Sequence, residues 1–220
     1  MTITLHEHPF ASYCWKARIA LYERDVRFES HIVGDAADRG RLAELWPTAT
    51  IPVLVDDTAG ITLPESTIII EYVDRLGDAP QLIPADPAVA LQARLWDRVI
   101  DGHVMTPMQK IVLDSLRPEA RRDLDGVAEA QAQLDRAYAL LDKHLADGRW
   151  AAGPTFTLAD CAAAPALFYA RVVHRWDDAR LANLTGYYTQ LTARPSVARV
   201  IDEAREYRHL FPMSWPDDAV

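Results

Sequence analysis

The sequence predicts an α/β N-terminal unit followed by an all-α unit, and three observations carry that expectation. Short strand-like and helical segments alternate over residues 1–76. Residues 77–87, Gly-Asp-Ala-Pro-Gln-Leu-Ile-Pro-Ala-Asp-Pro, hold three prolines and a glycine and read as a linker. From 88 to 220 the strand signal disappears, and apolar residues recur at helical intervals.

The first element is Thr2-Ile3-Thr4-Leu5-His6, whose alternation of polar and apolar residues is that of a strand. Ser12 to Arg24 contains no Gly or Pro and reads as a helix; Arg27 to Val33 is extended; Asp38 to Leu45 is a short helix ended by Pro47. Pro52–Asp56 and Ile61–Leu63 are two strands around the turn-rich Asp56-Asp57-Thr58-Ala59-Gly60. A third helix runs from about Glu65 to Leu76 and stops at Gly77. The order β-α-β-α-β-β-α implies a parallel strand pair joined by a helix and a later antiparallel hairpin. In the second unit Leu91, Leu95, Val99 and Ile100 mark one helix face, and Val127, Leu134, Tyr138, Leu141 and Leu145 mark another. Further helices are expected near 157–173, 181–193 and 195–206. Thr157-Leu158-Ala159-Asp160 has the spacing of a capping box, a structural device at a helix start.

Composition narrows the function. A net charge of −9 and a pI near 5.2 disfavour binding to nucleic acid. No apolar run reaches the roughly 18 residues of a membrane span, and the N-terminus lacks the basic-then-apolar pattern of a secretory signal. Two distant cysteines, Cys14 and Cys161, argue against a disulfide framework and fit a reducing cytoplasm. The histidines are scattered without ligand spacing, so no metal is expected.

Two short segments carry candidate chemistry. In Ile51-Pro52-Val53-Leu54-Val55 a proline opens a strand, and its peptide bond is trans or, less commonly, cis. In Leu63-Pro64-Glu65-Ser66 an acid and a hydroxyl open a helix. They suit helix-start chemistry, and equally an anion held at the positive helix end.

Together these segments resemble the glutathione pocket of the glutathione S-transferase family, and Leu63-Pro64-Glu65-Ser66-Thr67-Ile68-Ile69 is similar to the family's "ES-x-x-I" pattern. The resemblance covers essentially the whole chain. It implies a thioredoxin-like N-terminal domain, an all-α C-terminal domain, a homodimer and glutathione as co-substrate. It also implies a cis bond at Pro52 that turns the N–H and C=O of Ile51 toward the cysteinyl part of glutathione. Ser66 would hold the γ-glutamyl carboxylate and Glu65 its ammonium.

The segment Phe10-Ala11-Ser12-Tyr13-Cys14-Trp15-Lys16 resembles the family's thiol-activating opening, but Ala11 stands where a serine or cysteine is usual. Ser12 is the leading thiol activator, similar to the second serine of the zeta-class "Ser-Ser-Cys-x-Trp" type of motif; Tyr13 and Cys14 are alternatives. Lys16 and Arg18 either raise the local positive potential or form a solvated helix face. The acceptor, a small hydrophobic electrophile, would meet Trp96, His103, Met105, Met108 and Val112, with a tail ending at Trp215 closing over it. Those residues suit a core equally well. The implied activity is transfer of the thiolate to the electrophile. Alternatives are a glutathione-dependent cis–trans isomerase of the zeta (maleylacetoacetate isomerase) kind and a non-catalytic glutathione-binding protein.

Overall fold

A computed structural model describes residues 2–215, so the expected helical unit reaching residue 220 extends past the described part. The N-terminal domain holds β1 (Ile3–Glu7), α1 (Ser12–Glu23), β2 (Glu29–Ile32), α2 (Ala36–Leu45), β3 (Val53–Asp56), β4 (Ile61–Pro64) and α3 (Ser66–Val73). The sheet order is β2-β1-β3-β4, with β1 and β2 parallel and the other two pairs antiparallel. The α/β thioredoxin-like order expected from the sequence is therefore present. The third helix is shorter than expected. After Val73 the chain turns through Gly77, whose φ is +72° and where a Cβ would stand 2.5 Å from the Arg24 carbonyl oxygen. Only glycine fits that approach.

The helical domain comprises α4 (Pro87–Ile100), a π-helical turn (Asp101–Met105), α5 (Thr106–Ser115), α6 (Leu124–His144), α7 (Leu158–Val173), α8 (Ala182–Thr192) and α9 (Pro195–Ala204), then a 3₁₀ segment, Arg205–Leu210. At the head of α7 the Asp160 carboxylate accepts from the Thr157 N–H (2.8 Å), the Ala151 N–H (2.8 Å) and the Tyr187 hydroxyl (2.7 Å). The Thr157–Asp160 box is thus a buried structural joint.

Two cores meet at α1. Ile3, Leu5, Leu54, Ile69 and Val73 pack with Ala17 and Leu21 of α1, while Trp15, Ile19 and Ala20 join the larger core around α7. Every residue from Cys14 to Leu21 is buried, so α1 has no solvent face to bear its charges. Lys16 and Arg18 therefore do not form the solvated face considered above. Lys16 is wholly buried, touching Asp97 and donating to Asp101 (2.8 Å) and Thr67 Oγ1 (2.8 Å). Arg18 lies between Glu7 (3.2 Å) and Glu203 (2.5 Å), tying β1 to α9.

The inner face of α4 also differs from the expected one. Ala90, Ala93, Trp96, Asp97 and Ile100 point inward, while Leu91 and Leu95 are 63% and 47% exposed. Small alanines and the ion-paired Asp97 take the positions facing α1 and α7, so the leucines are turned outward.

Candidate functional site

Sheet topology gathers the site. Because β3 runs antiparallel to β1 and β4 to β3, with His6 opposite Val53 and Val53 opposite Pro64, three connections meet at one end of the sheet. They are His8–Ala11 after β1, Ile51–Pro52 before β3 and Glu65 after β4. Their residues line a cleft of 980 Å³ that includes His8, Tyr13, Ile51, Pro52, Glu65 and Ser66.

The Ile51–Pro52 bond is cis. Glu65 precedes α3 with φ +67° and ψ 113°, a backbone region that non-glycine residues rarely occupy. Its side chain makes no capping hydrogen bond, so the helix-start role considered for it is not in use. Ser66 is buried at the first turn, where helical N–H groups lack carbonyl partners. At α1 the cap position is Ala11, which has no side chain to cap with. Of the three helices in this domain only α2 has a side-chain cap, from Asp35. The positive ends of α1 and α3 therefore both open on the cleft without a side-chain acceptor.

The connection between β1 and α1 is held from two sides. The Trp15 indole N–H donates to the Pro9 carbonyl (2.5 Å) and the Tyr169 hydroxyl to the Phe10 carbonyl (2.9 Å). A second chamber of 430 Å³ adjoins the first through the shared walls Phe10, Ala11, Tyr13, Ile51, Gln109 and Leu210. Met108, Val112, Leu113, Leu116 and Phe211 make it largely apolar.

The three thiol-activator candidates separate here. Ser12 lines the apolar chamber and Tyr13 lines both. Burial, with the Asp101 carboxylate as the next cause, pushes the Tyr13 phenol up to about 12. At neutral pH Tyr13 is therefore a protonated hydroxyl, able to donate. Cys14 is fully buried, and burial pushes its thiol well above the usual range. It lines neither chamber and packs in the core, away from where a thiol activator would stand. Of the acceptor-pocket residues, Met108 and Val112 line the apolar chamber. Trp96, stacked on His144 with centroids 3.6 Å apart, and Met105 belong to the core. His103 is exposed on the π-helical turn and lines neither chamber. Trp215 packs on Phe10, Phe168 and Phe211 beside the chambers. The tail's contribution to the wall comes instead from Leu210, Phe211 and Pro212.

Sequence reasoning missed His8, Arg39, Arg98, Asp101 and Gln109, all of which line the larger chamber. The one available signal was position: His8 follows directly on β1, and ligands of open α/β sheets gather beyond strand ends. Among the described residues no helix is long and apolar enough to cross a membrane, and no group of three His, Cys, Asp or Glu side chains could hold a metal ion.

A thioredoxin-like domain joined to a helical bundle, with two uncapped helix ends over a cis-proline cleft, defines a class of small-molecule binding proteins. Residues 5–81 match the glutathione S-transferase N-terminal domain and residues 124–190 the glutathione S-transferase C-terminal domain. The GST-like protein YibF of Escherichia coli K12 is 31% identical over 188 residues, covering 84% of this chain and 91% of YibF. Glutathione S-transferase GstB of the same organism is 27% identical over 191 residues, with the same coverage of both chains. A glutathione S-transferase from Methylobacillus flagellatus KT, solved with glutathione bound, superposes with a TM-score of 0.82 at 26% identity, covering 90% of this chain and 98% of that one. The chain belongs to the glutathione S-transferase family.

Proposed function

We propose that this protein binds glutathione across the larger chamber and transfers its thiolate to a small hydrophobic electrophile held in the smaller one. The observation that carries the reading is that both uncapped helix ends and the Ile51 peptide face one cleft. The γ-glutamyl carboxylate takes the place of the missing cap at Ser66, and Glu65 pairs with the ammonium. The Ile51 N–H and C=O hold the cysteinyl amide, and Arg39 on α2 faces the glycyl carboxylate. The sulfur then lies where the chambers join, at the positive end of α1. There the hydroxyls of Ser12 and Tyr13 stabilise the thiolate, which is the nucleophilic form. The acceptor rests on Met108, Val112 and Phe211.

Conjugation of an aryl halide tests the assignment. Ser12→Ala and Tyr13→Phe are each expected to lower kcat about tenfold or more, as for loss of one positioned donor. Because Tyr13 keeps its proton up to about pH 12, no fall in rate from its ionisation is expected on raising the pH from neutral toward that value. Turnover unchanged from wild type in both variants would remove the hydroxyls from the mechanism. Thiol consumption separates transfer from isomerisation, which returns glutathione unchanged. Tight binding without turnover on a broad electrophile panel would leave a non-catalytic binding protein.

A homodimer fits the outward face of α3 and α4, where Ile68, Leu91 and Leu95 are each 47% or more exposed around the Arg94–Glu71 ion pair. Leu91→Glu is expected to shift sedimentation from dimer to monomer; a dimer that persists would move the interface elsewhere. Two free, buried cysteines fit a cytoplasmic location.

A further inference from the structure

We infer that His8 donates a hydrogen bond from its Nε2–H to the glutathione sulfur, supplying a donor in the turn where Ala11 offers only a methyl group. The inference rests on the glutathione reading of the cleft.

His8 Nδ1 accepts the Phe10 N–H at 3.1 Å. A ring nitrogen that accepts carries no hydrogen, so the imidazole proton resides on Nε2. Burial holds the imidazole below its usual pKa, which favours that neutral form. Protonation would place a second hydrogen on Nδ1, against the Phe10 N–H, so the turn itself opposes it. No hydrogen bond among the described residues engages Nε2; the ring also meets Tyr207 edge-on, with centroids 5.0 Å apart.

The placement of this donor is set by backbone. The His8 carbonyl accepts the Ala11 N–H at 2.9 Å, so both residues belong to one turn. Both line the larger chamber together with Tyr13 and Ile51. A neutral N–H aimed at a thiolate favours the charged form, as a hydroxyl does, and lowers the thiol pKa. The thiol proton leaves to solvent; His8 neither takes it nor changes charge. In this account the missing hydroxyl at position 11 is compensated three residues earlier.

Two substitutions separate the donor from the turn. His8→Asn keeps an acceptor for the Phe10 N–H, since asparagine side chains bond the backbone two residues on, but removes the far N–H. His8→Gln places an amide N–H near the Nε2 position. The readout is the pH titration of thiolate ultraviolet absorbance with glutathione bound to the full chain; binding of S-methylglutathione, which has no ionisable thiol, reports the cleft independently. His8→Asn is expected to raise the bound thiol pKa by about one unit, roughly a tenfold loss of thiolate at neutral pH. His8→Gln is expected to restore most of that shift, and S-methylglutathione affinity should stay within about twofold of wild type in both variants. An unchanged thiol pKa in His8→Asn overturns the inference. So does an equal rise in both variants, which would mean that His8 only shapes the turn. Failure of the wild-type protein to bind S-methylglutathione would instead overturn the glutathione reading itself.

Discussion

Replacing Lys16 with alanine is expected to lower stability by about 3–5 kcal/mol, the range for breaking a buried ion pair by removing one partner. The ammonium is enclosed by α1, α3 and the end of α4. It touches Asp97, donates to Asp101 and Thr67, and has no access to water. Without it two buried carboxylates face each other with no cation of α1 between them. Among the described residues Asp101 then keeps the Arg98 guanidinium at 3.3 Å, and Asp97 the Thr67 hydroxyl at 3.1 Å. Burial already holds Asp97 above the ordinary carboxylate range, even with Lys16 present. The sign of the pH dependence follows. A carboxyl whose folded pKa lies above its unfolded value favours folding while it is protonated, and that advantage fades as pH rises through the interval between the two. The Lys16→Ala deficit should therefore shrink in acid as the abandoned Asp97 carboxylate takes up a proton. Urea denaturation at neutral and acid pH measures both effects. A loss below about 1 kcal/mol at neutral pH would mean that water reaches the cluster. The cluster also backs the binding site, because Thr67 follows Ser66 and Asp101 lines the cleft. Glutathione affinity is expected to fall in the same variant.

Glu65→Ala is expected to weaken glutathione binding about ten- to a hundredfold, the size of a lost hydrogen bond to a charged group. Glu65 is exposed at the cleft, and among the described residues its carboxylate caps nothing. Its backbone does have a cost. At φ +67° a side-chain-bearing residue is strained by about 1–3 kcal/mol, and glycine is not. Glu65→Gly should therefore raise stability by about 1 kcal/mol while binding glutathione as poorly as Glu65→Ala. A strained, more weakly stable turn retained for its carboxylate is the pattern of a binding residue. Were Glu65→Ala to keep full affinity, the carboxylate would not be a glutathione contact, and Arg39 and Ser66 would have to anchor the peptide alone. Calorimetric titration decides between them.

Local motifs were legible in the sequence because their chemistry is contiguous. Pro52 before an apolar strand, Glu65-Ser66 after a hairpin and Thr157–Asp160 before a helix each announce an element through neighbouring residues. The fold class followed from the same local signals. What a single sequence does not display is which distant residues neutralise one another. For Lys16 the sequence leaves a local positive potential and a solvated helix face both open, because Asp97 and Asp101, which bury it, lie on another domain. The same pairing turned α4: with Asp97 and two alanines on the inner face, Leu91 and Leu95 point outward, while Ile100 and Val99 of the expected face still pack on the core. In the cleft, Arg39, Gln109 and His8 come from three separate elements, so no spacing rule unites them. Trp96 and Met105 were expected at the acceptor because large apolar residues suit pockets and cores alike; packing placed them in the core.

Backbone amide chemical shifts followed while glutathione is added to the full chain test the central claim most directly. The amides of Ile51, Ser66 and Tyr13 are expected to move together and saturate. Those of Gln81, Trp150 and Arg194, around a separate cavity of 540 Å³, should stay in place. Saturable binding that shifts the second group and leaves Ile51 and Ser66 unmoved would contradict the placement of glutathione between the cis-proline and the tip of α3.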